Sequence, residues 1–284
     1  MSSNYHGIGL YDSSSYNIIY ENNIRDSNFS GITLINSNTN SFYGNNITNN
    51  YKGVEIVYSL NNTIYENNIT NNEIGVDVEF SSNNNMHPNN FVDNMQQVSI
   101  IGHGYANLWD NEFEGNYWSS YTCVDLNHDG IGDMAHLLDE NNTDRYPLMG
   151  MFHSFNIPLG YNLDVISNST IESFEYFESN NTIRMLASNM TANQTFGFCR
   201  VRIPHALMNE TYHVAVNGIE PYYSNYTIYD DGDNRWIYFS YQHSILEIII
   251  VPEFPSFLIL PIFMIATLLA VIVYKRKTKI SDAM

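Results

Sequence analysis

The sequence predicts an all-β protein whose first half is a parallel β-helix, and three observations support this. First, a short block that begins with Gly or Gln and continues with alternating apolar residues recurs five times. Second, an Asn-rich block ending in Ile or Phe follows each copy after 14 or 15 residues. Third, the last three intervals are 22 residues and the first is 24, at Gly7, Gly31, Gly53, Gly75 and Gln97. Such regularity is typical of a solenoid.

Each block predicts a short strand with one buried face, because apolar and polar residues alternate with a period of two. The inward positions are Ile8/Leu10, Ile32/Leu34, Val54/Ile56, Val76/Val78 and Val98/Ile100. The residues between them are predicted to point outward, and they are Gly9, Thr33, Glu55, Asp77 and Ser99.

Two further apolar columns are predicted to be buried in every unit. One contains Ile19, Phe42, Ile64, Met86 and Leu108, and the other contains Ile24, Ile47, Ile69, Phe91 and Phe113. A unit of about 22 residues cannot close a core alone, so we expect about five rungs stacked at about 4.8 Å.

The unusual content of 41 Asn in 284 residues follows from the same repeat. Stacked Asn amides can hydrogen-bond from rung to rung as a ladder, and Asn also suits tight turns. We predict structural ladders; a binding role is the alternative. The predicted columns are Asn17, Asn40, Asn62, Asn84; Asn22, Asn45, Asn67, Asn89, Asn111; and Asn28, Asn50, Asn72, Asn94, Asn116.

An aromatic column lies one position after a buried one, and we expect it to face outward. Its members are Tyr20, Tyr43, Tyr65, His87 and Trp109. Exposed rings can stack on sugar rings. Rings in successive rungs can also stack on one another and stabilise the β-helix, which we call the coil. Ligand stacking is therefore predicted for Tyr20, Tyr43, Tyr65 and Trp109, with cross-rung stacking as the alternative.

The segment after the last rung carries a calcium-loop pattern. Asp125, Asn127 and Asp129 stand at ligand positions 1, 3 and 5, and Gly130 follows at the turn. Ile131 is predicted to offer its backbone carbonyl, and Asp133 stands at position 9. His136 replaces the usual bidentate Glu at position 12, so we expect weak Ca²⁺ binding or a last ligand from Asp139. An acidic turn without metal is the alternative.

The repeat resembles the NosD-type right-handed β-helix family. The consensus matches Asn62-Thr-Ile-Tyr-Glu-Asn-Asn-Ile-Thr-Asn-Asn-Glu-Ile-Gly-Val, and the resemblance covers about residues 4–150, including Gly115-Asn-Tyr-Trp-Ser-Ser-Tyr. It implies a right-handed coil related to carbohydrate-binding proteins and sugar hydrolases. Copper is not expected, because the predicted coil has no cluster of Cys, His or Met at ligand spacing. His6, His87 and His103 are scattered along it.

Enzymatic activity is not favoured by the residues of the predicted coil. Glu55 and Asp77 lie one rung apart, at a distance of about 5 Å that would suit a catalytic carboxylate pair. Solvated stacked acids are the alternative that we favour. Residues 1–150 contain only three basic residues, Arg25, Lys52 and Arg145, and no Ser or Cys nucleophile motif stands out.

The C-terminal half predicts a small antiparallel β-sandwich and one transmembrane helix. Alternating runs with turns at Asn217-Gly and Asp230-Asp-Gly-Asp favour the sandwich. The uncharged run 257–274 reaches about 27 Å, enough to span a bilayer, and the basic tail follows the positive-inside pattern. Residues 1–274 carry 7 basic and 29 acidic groups, or −22, which argues against a nucleic-acid partner.

The tripeptide Pro252-Glu253-Phe254 before this run resembles an archaeal PEF-type sorting signal. That resemblance implies an archaeosortase-like enzyme that cleaves near the motif. The N-terminus has no signal-peptide pattern and the repeat is under way by Gly7, so we expect a fragment lacking N-terminal rungs.

Glycosylation is expected on sequons in the C-terminal half, which predict surface positions. They are Asn168, Asn180, Asn189, Asn193, Asn209 and Asn225. Cys123 and Cys199 fall in different predicted domains, and their pairing stays open.

The predicted organisation is a β-helix over 1–121, a calcium-loop-like capping segment over 122–150 and a sandwich over 151–251. These are followed by a motif and linker over 252–256, a transmembrane helix over 257–274 and a cytoplasmic tail over 275–284. We expect an archaeal cell-surface protein, extracellular apart from its tail, that binds polysaccharide or envelope components without catalysis. The alternatives are a fragment of a polysaccharide lyase or glycoside hydrolase, or a structural stalk.

Overall fold

The computed structural model describes residues 4–102, 105–158, 160–208, 212–221, 223–242 and 245–252, the side chains of 223–226 excepted. These residues form strands and turns and contain no helix. The predicted span 257–274 lies outside them, and within them no helix has the length and apolar character needed to cross a membrane.

The first fifteen strands belong to the N-terminal half. They are β1 (His6–Tyr11), β2 (Ile18–Tyr20), β3 (Asn23–Arg25), β4 (Ser30–Ile35), β5 (Ser41–Tyr43), β6 (Asn46–Thr48), β7 (Lys52–Val57), β8 (Thr63–Tyr65), β9 (Asn68–Thr70), β10 (Ile74–Glu79), β11 (Asn90–Val92), β12 (Gln96–Ile101), β13 (Tyr117–Trp118), β14 (His136–Leu137) and β15 (Thr143–Asp144).

Nine strands form the C-terminal half. They are β16 (Met151–Ile157), β17 (Tyr161–Ser167), β18 (Ser169–Phe177), β19 (Thr182–Asn189), β20 (Phe196–Pro204), β21 (Tyr212–Val216), β22 (Tyr223–Asp230), β23 (Asn234–Gln242) and β24 (Leu246–Pro252).

The first half is a parallel β-helix, as the repeat predicts. Its three sheets have the orders β1-β4-β7-β10-β12, β2-β5-β8 and β13-β11-β9-β6-β3, and their strands pair in parallel. Ile32 pairs with Val54, which pairs with Val76, so the predicted apolar columns are in register. The buried columns form one continuous core along the coil.

The Gly that opens each repeat is required by the close approach of successive rungs. A Cβ on Gly53 would lie 2.4 Å from the Gly75 carbonyl oxygen and 3.0 Å from Cγ2 of Ile69. Only a residue without a side chain fits between the backbone of the next rung and the core, which explains this column.

The predicted Asn ladders are present, and Asn67 illustrates their geometry. Its Oδ1 accepts hydrogen bonds from the backbone N–H of Asn45 at 3.0 Å and from Asn45 Nδ2 at 2.9 Å. Its Nδ2 donates to the carbonyl oxygen of Phe42 at 3.0 Å and to Asn89 Oδ1 at 3.0 Å. Each buried amide thus satisfies turn backbone groups that no strand partner could reach.

Several column assignments at the ends of the coil are wrong because the repeat interval changes there. Asn107 follows Asn84 by 23 residues in the ladder, so Trp109 enters the buried column at 1% exposure and Leu108 is 57% exposed. Asn116 follows Asn89 by 27 residues, so Trp118 is the buried residue in place of Phe113.

The same displacement corrects the Asn columns. Asn116, not Asn111, continues the column of Asn89, and Asn111 is exposed. In the first rung Ser27, not Asn28, donates its backbone N–H to Asn50 Oδ1, and Asn28 is exposed.

The segment after the last rung closes the coil by ending its ladders. Asn142 Oδ1 accepts the Asn107 backbone N–H at 2.9 Å, and Asp144 Oδ2 accepts the Asn116 N–H at 2.8 Å. Burial raises the pKa of Asp144 to about 6, although hydrogen bonds from Asn116, Trp118 and Tyr146 oppose the shift.

The C-terminal half consists of two antiparallel sheets packed around their own core. Their orders are β16-β17-β20-β23-β22 and β18-β19-β24-β21. Phe152 on β16 exchanges two hydrogen bonds of 2.8 Å with the side chain of Asn90 on β11. Glu114 also binds Arg200 at 3.0 Å and accepts from Trp236 Nε1 at 3.0 Å, so the first sheet is fixed against the coil.

Candidate functional site

A cleft of about 460 Å³ lies where the aromatic column of the coil faces β16 and β17. Its floor is formed by the turn residues that directly follow β2, β5 and β8, namely Glu21, Gly44 and Glu66. All three have positive φ, at 54°, 63° and 57°. Because these residues lie in successive rungs, Glu21 and Glu66 are two rungs apart, about 9.6 Å along the coil at the backbone. Gly44 leaves the space between them without a side chain.

The three Tyr residues of the column are stacked on one another. The ring centroids of Tyr20 and Tyr43 are 5.2 Å apart with planes inclined at 12°, and those of Tyr43 and Tyr65 are 5.0 Å apart at 21°. Both faces of Tyr43 are therefore covered. Tyr20 is 51% exposed, and among the described residues no ring stacks on its second face. One open aromatic face and the outer ring edges remain available to a ligand.

The opposite wall comes from the sandwich and is rich in hydrogen-bonding groups. Phe152, His153, Ser154, Phe155 and Asn156 on β16 line it, together with Asn162 on β17 and Asn68 on β9. Asn156 and Asn162 are exposed, so their amides are accessible from solvent. A wall of amides beside an aromatic face offers both donors and acceptors to a polyhydroxylated ligand.

Glu66 is the most perturbed acid of the cleft. Burial raises the pKa of Glu66 to about 6, and the charge of Asp164 adds to the shift while Arg202 opposes it. Arg202 is already engaged, because it lies 2.5 Å from Asp164. Within the described residues no side-chain donor or cation pairs with the Glu66 carboxylate.

His153 is neutral at physiological pH, because burial lowers its pKa to about 4. Its Nε2 is buried and has no hydrogen-bond partner among the described residues. On the neighbouring pair of β16 and β17, Ser154 Oγ donates to Asp164 Oδ1 at 2.7 Å. Burial raises the pKa of Asp164, and its pairing with Arg202 opposes that shift.

Glu55 and Asp77 are the weak catalytic candidates. We expected them to be solvated, but both are buried. They pair across β7 and β10 and are only 6% and 2% exposed. Lys52 lies between them, with Nζ 2.6 Å from Glu55 and 2.5 Å from Asp77. Both faces of this sheet are covered. The two acids therefore stay buried, although their side chains are on the face that points away from the core.

The acids around Lys52 form a closed ion-pair cluster. Ser30 and Thr33 donate to Glu55 Oε2 at 3.0 and 3.2 Å, and Glu79 lies 3.7 Å from Lys52 Nζ. Burial lowers the pKa of Lys52, but hydrogen bonds to Asp77 and Glu55 outweigh it and the net shift is upward. The cluster therefore keeps Lys52 charged.

The predicted calcium loop folds around its own carboxylates. Asp125 accepts the backbone N–H groups of Asp129 and Gly130 at 3.0 and 2.9 Å, and Asp133 accepts that of Leu126 at 2.8 Å. Asn127 Nδ2 donates to Asp129 Oδ2 at 3.0 Å, and Gly130 has φ 82°. Burial raises the pKa of Asp125 despite these backbone donors.

The acids of this loop do not converge as the cluster at Lys52 does. Among the described residues, only Glu55, Asp77 and Glu79 form a set of three His, Cys or acidic residues with ligand atoms within 4.8 Å of one another. His136 packs on Trp118 with centroids 4.9 Å apart. Ile131 donates its N–H to Asp129 Oδ1 at 2.8 Å.

The remaining predicted positions divide into four groups. Trp109 cannot serve as a stacking residue, because it is buried in the core. Asn180, Asn189 and Asn193 are exposed, and Asn168 is half-buried with Oδ1 bonded to the Phe198 N–H. Asn209, the side chain of Asn225, Glu253 and Phe254 lie outside the described part of the chain, whereas Pro252 ends β24. Cys123 and Cys199 are free thiols.

Sequence reasoning missed the acidic residues of the cleft, although a signal exists. The pentapeptide Tyr-Glu-Asn-Asn-Ile occurs twice, at Tyr20–Ile24 and at Tyr65–Ile69. Its Glu follows the aromatic position directly and falls at the turn in both rungs. The wall from β16 has no such signal, because its placement depends on contacts across 62 residues, from Asn90 to Phe152.

Comparison with known proteins gives a family match and a distant structural likeness. Residues 1–123 match the family described as periplasmic copper-binding protein (NosD). No curated protein matches the chain significantly. The enzymatically active domain of tailspike protein 2 from bacteriophage CBA120 is 9% identical over 85% of this chain, with a TM-score of 0.29. The match spans about half of that protein, 54% of its length, and this low similarity supports no inference.

The described residues do not fit the copper named in that family description. Copper favours thiolate, thioether and imidazole ligands. Among the described His, Cys, Asp and Glu side chains, the only convergent group is the carboxylate set at Glu55, Asp77 and Glu79, already paired with Lys52. His6 contacts Thr33 through Nδ1 at 2.9 Å, and burial lowers the pKa of His87. Residues 1–123 thus match the NosD family model, and their strand register is that of a parallel β-helix.

Proposed function

We propose that this protein binds a polysaccharide or another glycan of the cell envelope in the cleft between its aromatic column and β16, without catalysing a reaction. The observation that carries the proposal is the joint presence of an open Tyr20 face, exposed amides at Asn156 and Asn162, and a carboxylate at Glu66 around one cavity. Sugar sites combine an aromatic face for the apolar ring surface with planar polar groups for the hydroxyls.

Only the outer face of Tyr20 is proposed to stack on a sugar ring, since the faces of Tyr43 are covered. Tyr43 and Tyr65 are proposed to contribute ring edges along the coil. A linear glycan that follows the column would extend towards the amides of β16 and β17.

A glycoside hydrolase is the second candidate function, and the cleft favours it over the sheet that carries Glu55 and Asp77. Glu21 and Glu66 line the same cavity, and the pKa of Glu66 is raised to about 6, the property of a general acid. Inverting hydrolases separate their two carboxyl groups by about 6.5–9.5 Å. A purely structural stalk is the third candidate, and it requires no ligand in the cleft.

Glycan-array binding of the purified protein separates these functions. Binding that is lost in Tyr20→Ala without release of reducing sugar supports the non-enzymatic binder. Release of reducing sugar that is lost in Glu66→Gln supports the hydrolase. No binding to any glycan at millimolar concentration would leave the stalk.

We further propose that the protein is held outside the cell membrane by residues 257–274, with the basic tail 275–284 in the cytoplasm. The uncharged run and the following basic cluster support this placement, as does the periplasmic description of the matched family. An archaeosortase-like enzyme is proposed to cleave near Pro252-Glu253-Phe254. Mass spectrometry of the mature C-terminus tests this, and an intact tail would reject cleavage.

A structural Ca²⁺ is proposed for the loop of Asp125, Asn127, Asp129, Ile131 and Asp133. The side-chain pattern and the turn at Gly130 support it, and bound Ca²⁺ would offset the cost of burying Asp125. The expected effect is a Tm that rises with millimolar Ca²⁺ and no longer does so in Asp125→Asn. An unchanged Tm in the wild-type protein would contradict the proposal.

A further inference from the structure

We propose that the cleft selects a glycan that carries free amino groups, and that the carboxylate of Glu66 receives the ammonium. This inference rests on the proposed glycan-binding function and deepens it by naming the class of ligand. The first observation is the charge of the cavity wall. Its lining contains two carboxylates, Glu21 and Glu66, and no Lys or Arg.

The second observation is that Glu66 lacks the Arg partner that three other half-buried acids have. Among the described residues, the half-buried acids Glu114, Asp164 and Glu247 each pair with an Arg at 3.0 Å or less. Glu66 is half-buried as well, yet no hydrogen-bond donor or cation of the described chain reaches its carboxylate. A partly desolvated carboxylate without a partner costs free energy, which a cationic ligand recovers on binding.

The charged and titratable groups that face Glu66 leave its carboxylate available to a ligand. On the coil these are Glu21 and the phenols of Tyr43 and Tyr65, and on the sandwich they are Asp164, Arg202 and His153. Arg202 is engaged by Asp164 at 2.5 Å, and His153 is neutral because burial lowers its pKa. The electrostatic potential in the cleft is then set by the carboxylates of Glu21 and Glu66 and is negative. It repels uronate polymers and attracts an ammonium group.

The other groups of the cleft favour a sugar over a basic peptide as the bearer of that ammonium. Asn68, Asn156 and Asn162 present side-chain amides, and Tyr20 presents one flat face. Peptide-binding grooves use free strand edges or apolar pockets for side chains. Here β16 is paired with β17 on one side, and on its other side the side chain of Asn90 takes both the N–H and the carbonyl of Phe152. β5 is paired on both sides.

The test is calorimetric titration of the full chain at pH 7 in a detergent without a sugar headgroup. The probes are hexamers of glucosamine, N-acetylglucosamine and galacturonic acid, with hexalysine as the peptide probe. We expect glucosamine hexamer to bind about tenfold more tightly than its N-acetylated form, since a charge-assisted hydrogen bond is lost on acetylation. Glu66→Gln removes this preference, and Glu73→Gln, on an exposed turn of the coil, retains it.

Each other outcome overturns the inference in a distinguishable way. Equal binding of the two glucosamine-type hexamers, unchanged in Glu66→Gln, rejects the ammonium site and leaves the glycan-binding function standing. Tighter binding of the galacturonic acid hexamer rejects the charge argument. Binding of hexalysine alone assigns the cleft to a peptide. No binding of any probe rejects this inference, whereas the glycan array decides the glycan-binding function. Circular dichroism of both variants shows whether the fold is retained.

Discussion

The side chain of Asn90 and the backbone of Phe152 form a closed pair of hydrogen bonds, each 2.8 Å long, between the coil and the sandwich. Asn90 is the last member of an amide row on the face of β9 and β11, where its Nδ2 also donates to Asn68 Oδ1 at 2.7 Å. The pair sets the position of β16, and therefore the width of the cleft beside Tyr43 and Glu66.

Asn90→Ala is expected to destabilise the protein by about 3 kcal/mol, because it leaves a buried N–H and a buried carbonyl of Phe152 without partners. The measurement is urea unfolding together with amide exchange at Phe152. Asn46→Ala is the control, since the Asn46 amide makes only an exposed 3.4 Å bond to Asn23. Equal free energies of unfolding for the two variants would contradict the role of this contact.

Lys52→Met is expected to lower the free energy of unfolding by about 4 kcal/mol, because it leaves Glu55 and Asp77 buried without a cation. The pKa of Lys52 is raised above 10.5, so its contribution is present below that value and is lost only as the pH rises beyond it. Adding Glu55→Gln and Asp77→Asn to Lys52→Met should restore much of the loss. If the triple variant is less stable than the single one, the cluster is not held by charge pairing.

Glu66→Gln is expected to raise the stability at pH 7.5 by about 1 kcal/mol, after allowing for solvent screening of a half-buried group. The pKa of Glu66 is raised from 4.5 to about 6 in the folded protein, so its stabilising protonated form is present below pH 4.5 and is lost as the pH rises through 6. The difference in Tm should therefore vanish near pH 4. A pH-independent difference would show that charge is not the cause.

Asn67→Asp is expected to disrupt the coil at pH 7, because a carboxylate oxygen would face the acceptors that Asn67 Nδ2 now serves, namely Phe42 O, Tyr65 O and Asn89 Oδ1. Asn71→Asp adds the same charge at an exposed turn and should have little effect. The readout is thermal unfolding by circular dichroism. A similar Tm for the two variants would show that the ladder amides do not act as donors.

The repeat made most of the coil predictable from sequence, because a single interval fixed the columns of Ile32, Val54 and Val76 at once. Prediction failed where the interval changed. One extra residue before Asn107 moved Trp109 from the aromatic column into the core, and four extra residues before Asn116 placed Trp118 where Phe113 was expected. Insertions of this kind leave the composition unchanged, so only the amide pairing of the folded chain reveals them.

The cleft itself was only half predictable. The column of Tyr20, Tyr43 and Tyr65 followed from the repeat, but its rings cover one another and leave one open face. The second wall depends on how β16 docks on β11, which is a long-range contact without a local signature. The burial of Glu55 and Asp77 was missed for a similar reason, since alternation does not report what covers the outer face of a sheet.

The most direct test of the account is glycan binding by a variant whose cleft is filled. Asn156→Trp places a large ring in the cavity from an exposed position on β16, and Asn193→Trp places the same ring on an exposed turn away from the cleft. Glycans that bind the wild-type protein are expected to bind Asn193→Trp with unchanged affinity and to fail to bind Asn156→Trp. Equal binding by both variants would contradict it and would place the glycan site elsewhere on the protein.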